Sequence, residues 1–144
     1  MKDKYIIYFI SKTKKKMSEF IERKLKEKNL NDLVPSYGNI LTVLYDNGGR
    51  LSMKEIGVLL GKDKSTITAL INKLIKLDYV MKEKSKVDKR VTYIVLTKKA
   101  MEIEDKFNEI SKSVNQTAYK DFTDEEKEIF LRLLKKLNTN FSEE

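Results

Sequence analysis

Apolar and polar positions alternate along this chain with two different periods. Between residues 1 and 30 there is neither Pro nor Gly. Ile6, Ile10, Met17, Phe20, Ile21 and Leu25 recur there mainly on one face, at helical spacings. Asn29 to Val34 reads as a connector. Pro35 then suits the first turn of a helix, where its missing N–H has no intrahelical acceptor to lose. Tyr37, Ile40, Leu41, Leu44 and Tyr45 predict that helix, and Asn47-Gly48-Gly49 stops it.

The next segment changes period twice. Arg50-Leu51 reads as short and extended. Ser52 and Glu55 have capping-box spacing, so each side chain can satisfy an orphan N–H at a helix start. The helix they open is expected to bury Ile56, Leu59 and Leu60. Gly61 supplies a turn, and Asp63 suits the N-cap of a second helix burying Ile67, Leu70, Ile71, Leu74 and Leu77. The period then drops to two. Tyr79 to Lys84 and Val91 to Leu96 predict two antiparallel strands joined by a charged tip, Ser85 to Arg90. Thr97 caps an expected long helix from Lys98 to about Tyr119. Thr123 and Glu126 open a last one carrying Ile129, Phe130, Leu133, Leu134, Leu137 and Phe141.

Helix, turn, helix and cationic hairpin in that order predict a mostly α fold with a small β wing, a winged helix-turn-helix over residues 35–97. Residues 1–34 form an N-terminal dimerisation helix and connector. Residues 98–144 form C-terminal helices completing the dimerisation domain. Terminal helices with broad apolar faces and little core to cover them favour a homodimer, and DNA-reading helices usually act as two-fold pairs.

Charge sharpens this picture. The 144 residues carry a net +8 with a pI near 9.4. From Lys62 to Lys99 there are eleven basic and four acidic residues, so this segment holds nearly all the excess. A polyanionic partner, double-stranded DNA, is expected. The absence of Cys and His excludes disulfides, thiol switches and Cys/His zinc sites, and removes the commonest general base. Neither GxGxxG nor GxxxxGK[ST] occurs. An enzyme is not expected, and no cofactor is implied. The longest apolar run, Tyr5 to Ile10, is six residues, far short of the ~20 a spanning helix needs. No membrane association and a cytoplasmic location are expected.

The candidate DNA contacts follow from placing the second helix of the motif in the major groove. Its outward residues are Lys62, Lys64, Ser65, Thr66 and Thr68, with Ala69 beside them and Asn72 and Lys73 further along. Lys donates to guanine acceptors or to phosphate, and Ser and Thr donate to either. No Arg, Gln or Asn lies in the first turn and a half, so phosphate should carry a large share. The tip adds Lys86, Asp88, Lys89 and Arg90. Arg90 suits insertion into a narrow A·T-rich minor groove, while Asp88 is expected to pair with Arg90 or another local cation.

The tip Asp88-Lys89-Arg90, followed by Val91-Thr92-Tyr93-Ile94-Val95-Leu96-Thr97, resembles the MarR family of bacterial transcriptional regulators. It matches that family's Asp-x-Arg wing and its strand ending in Leu-Thr at the start of a long helix. Lys64-Ser65-Thr66-Ile67-Thr68 is similar to the family's recognition helix. The resemblance implies a homodimer built from the first and last helices. It also implies binding to a pseudo-palindromic operator, repression, and release of DNA by a small, often phenolic anion. Departures are Ala69 where Arg is common, Asp78 before the first wing strand where Gly is usual, and Ala100 where Gly is usual near the long helix's start. The Cys of the family's peroxide sensors and the His of its zinc sensors have no counterpart here. For a small aromatic or anionic effector, Tyr8, Tyr37 and Tyr45 are the candidate pocket residues, with dimer core as their competing role. The alternative function is an architectural DNA-binding protein with little sequence preference.

Overall fold

The computed structural model describes residues 2–142, so residue 1 of the predicted first helix and residues 143–144 lie outside it. The chain divides into two compact units, one ending at Ile110 and one starting at Ser111. The first holds α1 (Ile6–Glu27) behind a 3₁₀ turn, α2 (Pro35–Asp46), β1 (Arg50–Ser52), α3 (Met53–Leu60), α4 (Lys64–Lys76), β2 (Val80–Lys84), β3 (Thr92–Leu96), α5 (Lys98–Glu102) and the start of α6 (Glu104–Ala118). The second holds the rest of α6 and α7 (Asp124–Asn140).

Side chains at the predicted positions start the helices. Ser52 and Glu55 form the capping box of α3, with the Glu55 N–H donating to Ser52 Oγ at 3.1 Å and the Ser52 N–H to Glu55 Oε1 at 3.0 Å. Thr123 and Glu126 do the same for α7. Thr97 Oγ1 accepts from the Ala100 N–H at 3.3 Å, and its hydroxyl donates to the Asp78 carbonyl at 2.6 Å. One cap thereby ties the start of α5 to the end of α4.

Four helices stop in the same way. A residue with positive φ turns the chain, and the following N–H bonds the carbonyl five residues back, satisfying an orphan acceptor. The turning residues are Asn29 (φ 60°), Gly48 (76°), Gly61 (62°) and Asp78 (65°). The closing bonds run from Leu30 to Leu25 at 2.8 Å, Gly49 to Leu44 at 2.8 Å, Lys62 to Gly57 at 3.0 Å and Tyr79 to Leu74 at 3.0 Å.

The core of the first unit joins Ile40, Leu41 and Leu44 of α2, Ile56 of α3, Ile67, Ile71 and Leu74 of α4, and Tyr79, Val80 and Ile94, all nearly inaccessible. Burying one such aliphatic side chain contributes about 1.5–3 kcal/mol, against about 1 kcal/mol for a helix cap. Packing therefore holds α4 in place, and its cap sets where it begins. A polar tie reinforces the same region. The buried Tyr79 hydroxyl donates to Asp32 at 2.8 Å, and Lys99 Nζ reaches both Asp32 (3.4 Å) and the Leu77 carbonyl (2.6 Å). Burial, and then Asp32, push the Tyr79 hydroxyl's pKa upward.

Three expectations are corrected. The sheet has three antiparallel strands in the order β1-β3-β2, not two. Arg50-Leu51-Ser52 pairs with Val95, Ile94 and Tyr93, a pairing between residues over forty apart that a three-residue run cannot announce. Leu59 is 53% exposed. At 3.6 residues per turn it lies about 60° round the helix from Ile56, whereas Leu60 returns to the buried side. The long helix after Thr97 is interrupted at Ile103. The break coincides with the Ala100 carbonyl, which an unbroken helix would offer to the Glu104 N–H; here the Tyr45 hydroxyl donates to it at 2.5 Å.

Candidate nucleic-acid interface

The N-terminus of α4 is held by Asp63, whose Oδ1 accepts from the Thr66 N–H at 2.8 Å and from the Ser65 hydroxyl at 3.0 Å. These bonds, the Thr66 N–H first, and the nearby Lys62 hold the Asp63 carboxyl below its ordinary pKa. Lys62, Lys64, Ser65 and Thr66 are exposed around this helix end, as are Asn72 and Lys73 further along, and Thr68 is half-buried. Of the predicted readers, Ser65 already spends its proton on Asp63.

The wing is β2, β3 and a tip that bonds to itself. Ser85 Oγ accepts from the Val87 and Asp88 N–H groups at 3.2 and 3.1 Å. The Ser85 N–H reaches the Val91 carbonyl, and the Val91 N–H the Asp88 carbonyl, both at 3.0 Å. Asp88 takes the Arg90 N–H and Nε on Oδ1 at 3.0 and 3.1 Å, and Arg90 Nη2 on Oδ2 at 3.2 Å. The Arg90 side chain and backbone hold the Asp88 carboxyl below its ordinary pKa. The expected Asp88–Arg90 pair is therefore present, with the Arg90 side chain 91% exposed. Lys86 and Lys89 are also exposed. Among the described residues Lys62, Lys64, Lys86 and Lys89 form no ion pair.

Between the starts of α3 and α4 and the base of the wing lies a cleft of about 490 Å³. Its lining includes Lys54, Lys64 and Arg90 together with apolar Met53, Ile67 and Val91. Gly57 also lines it, and a Cβ there would stand 3.2 Å from the Lys62 carbonyl, so glycine lets α3 close on the turn before α4. Lys54 was not among the sequence candidates. Its only signal is a cation in the first turn of α3, and that gains meaning when the fold brings it to Lys64 and Arg90.

The three tyrosines proposed for an effector have different surroundings, and none lines this cleft. Tyr8 is 66% exposed on α1, and Tyr37 is half-buried. Tyr45 packs on Phe107 with ring centroids 5.5 Å apart and spends its hydroxyl on Ala100. Burial, then the Glu104 charge, raises that hydroxyl's pKa to about 12.

A capped, exposed helix end following a helix and turn, beside a cationic wing on a three-stranded sheet, defines a winged helix-turn-helix protein. Residues 31–91 match the family model described as MarR family. The HTH-type transcriptional regulator SarZ of Staphylococcus epidermidis is 31% identical over 77 residues, covering 54% of this chain and 52% of that protein, so the chain spans about half the length of the curated relatives it matches. A solved MarR protein from Peptoclostridium difficile is 30% identical, covers 97% of this chain and 89% of its own, and superposes with a TM-score of 0.79. The structure of reduced AbfR bound to DNA shares the fold at 22% identity, 96% and 94% coverage and a TM-score of 0.76. The chain belongs to the MarR family. Among the described residues no helix is long and apolar enough to cross a membrane.

Proposed function

We propose that the protein is a transcriptional regulator that binds double-stranded DNA as a homodimer, recognises a pseudo-palindromic operator and represses transcription from it. The observation that carries this reading is the pairing of an exposed, capped α4 start with a wing whose tip lysines form no ion pair among the described residues. Cations placed in this way exchange condensed counterions for protein contacts, which makes affinity steeply salt-dependent. A protein of the same fold has been solved on DNA, and SarZ carries the name of a transcriptional regulator.

Dimerisation is supported by uncovered apolar side chains. Ile6, Phe9, Ile10 and Met17 of α1 are 43–52% exposed, and Ile129, Phe130, Leu133 and Leu134 of α7 are 45–49% exposed. An uncovered apolar face of this kind on each helix marks an interaction site, and a second copy of the chain covers both in this reading. Release of DNA by a small aromatic or anionic effector belongs to the same proposal. Tyr8 and Tyr37 are the candidates with accessible rings, since Tyr45 is engaged by Ala100.

Selection of bound duplexes from a random library at near-physiological salt tests the reading. An enriched inverted repeat supports a two-fold, sequence-specific regulator. Equal binding to enriched and scrambled duplexes favours instead an architectural protein. That second reading draws on one observation: Ser65 is already engaged with Asp63, and no Arg, Gln or Asn stands before Asn72 on this helix end to read a base in its place.

A further inference from the structure

We infer that Tyr79, Asp32 and Lys99 form a latch that sets the distance between the two half-sites the dimer accepts, with Tyr79 and Asp32 as its spacing-determining positioning residues. The inference rests on the reading of a two-fold DNA-binding dimer above and adds what fixes its geometry. The winged lobe, residues 35–97, has two chain exits. Asp32 stands in the connector just before the first, and Lys99 on α5 just past the second. Tyr79 comes from inside the lobe, three residues beyond Lys76, the last residue of α4. Its hydroxyl donates to Asp32, at 2.8 Å from Oδ1 and 3.0 Å from Oδ2. Lys99 Nζ lies 3.4 Å from Asp32 Oδ2 and 4.2 Å from the centre of the Tyr79 ring, and donates to the carbonyl of Leu77, the C-cap of α4, at 2.6 Å. Both exits and the foot of the recognition helix therefore meet in one cluster.

Of these contacts the Tyr79 bond carries most of the restraint. Tyr79 is 1% exposed, so its hydroxyl has no water to turn to when Asp32 moves away. The Lys99–Asp32 pair has side chains 41% and 35% exposed and is worth little alone. Leu30 and Leu33 also hold the connector by burial, but apolar contact is non-directional and tolerates sliding. A hydrogen bond instead weakens steeply off its line. Angle matters because α4 is a lever. Its 13 residues span about 20 Å, so a tilt of roughly 10° at the foot moves its exposed start by about 3.4 Å, one base-pair step. Two-fold symmetry applies the same displacement to the partner lobe. The latch thus acts on where the half-sites lie and not on which bases α4 contacts.

The test is affinity of the full chain for duplexes carrying the enriched inverted repeat, with its half-sites at the selected spacing and one base pair nearer or farther. The variants are Tyr79→Phe, which keeps the ring beside Lys99, Asp32→Ala, which removes the acceptor from the connector, and Asp32→Asn, which keeps an acceptor. Ile56→Val is the control, since it costs comparable stability in the lobe core without touching the latch. The parent is expected to prefer its own spacing. Tyr79→Phe and Asp32→Ala should each lower that preference by about two- to tenfold, the range one net hydrogen bond supplies, with the base preferences within each half-site unchanged. Asp32→Asn should retain most of the preference, and Ile56→Val all of it. An unaltered spacing preference in either Tyr79→Phe or Asp32→Ala overturns the inference, and so do altered base preferences within the half-sites. An equal loss in Ile56→Val also overturns it, because the effect is then one of stability alone. A parent indifferent to spacing refutes it as well. If selection enriches no inverted repeat, the dimer reading itself fails, which is visible before any variant is compared.

Discussion

Replacing Asp78 by glycine should stabilise the protein. Asp78 is the left-handed stop of α4, with φ 65°. Its backbone makes every bond the stop requires, namely its N–H to the Ile75 carbonyl at 3.0 Å, the next N–H to Leu74, and its own carbonyl to the Thr97 hydroxyl. The exposed side chain therefore brings strain and charge to a position where the backbone does the bonding. A Cβ in this conformation costs roughly 1–2 kcal/mol, with Asp toward the lower end. A negative charge at a helix C-terminus opposes the helix dipole by roughly 0.3–1 kcal/mol. Glycine returns about 0.5–1 kcal/mol of that through its freer unfolded chain. The balance is about 1 kcal/mol in favour of Asp78→Gly. Asp78→Ala keeps the Cβ, loses the local hydrogen-bonding ability of Asp, and should destabilise. Urea unfolding of both variants decides the matter, read as a shift in midpoint at constant m-value. A midpoint for Asp78→Gly at or below the parent's would refute the claim that the residue is strained.

Three further outcomes follow from the geometry. Tyr45→Phe removes the bond to Ala100 and should cost about 1 kcal/mol; because the folded hydroxyl titrates at about 12 rather than 10, its contribution is complete below pH 10 and lost as pH rises through 12, so the variant's alkaline unfolding limb should be flatter. Glu55, Asp63, Asp88 and Glu109 all ionise more readily when folded, so stability present above the ordinary carboxylate range should fall as pH drops below it; Asp63→Asn keeps a cap without the charge and should soften that acid limb, and an identical limb would exclude the cap as a contributor. Arg90→Ala should weaken binding by about 1.5–3 kcal/mol on A·T-rich flanks and by less on G·C-rich ones, and equal losses measured by titration on both would exclude minor-groove insertion.

Features encoded within four residues were legible before any fold was known. Ser52 with Glu55, Asp63, Thr97, and Thr123 with Glu126 each announce a helix start through a local hydrogen bond, and all four sites cap as their spacing implies. The Asp88–Arg90 pair belongs to the same class, since two residues suffice to form it. Features that depend on distant partners were not legible. The third strand exists because Leu51 meets Ile94, and the break at Ile103 falls where Tyr45 reaches Ala100. Lys54 looked like one more solvated lysine until the fold set it beside Lys64 and Arg90. The positive φ of Asp78 lay between these cases: the residue stands where the resembled family usually has Gly, and only the backbone shows that Asp takes the left-handed turn itself.

The self-bonded wing tip also bears on how the protein survives in a cell. Lys84, Lys86, Lys89 and Arg90 put four basic cleavage points within seven exposed or half-exposed residues. A protease of tryptic specificity needs the chain extended through its own active site, and exposed loop tips usually comply. Here the bonds from Ser85, Asp88 and Val91 have to break first, so cutting is limited by the equilibrium population of an opened tip, not by exposure. The turn that presents the charge is thereby also what guards it from digestion.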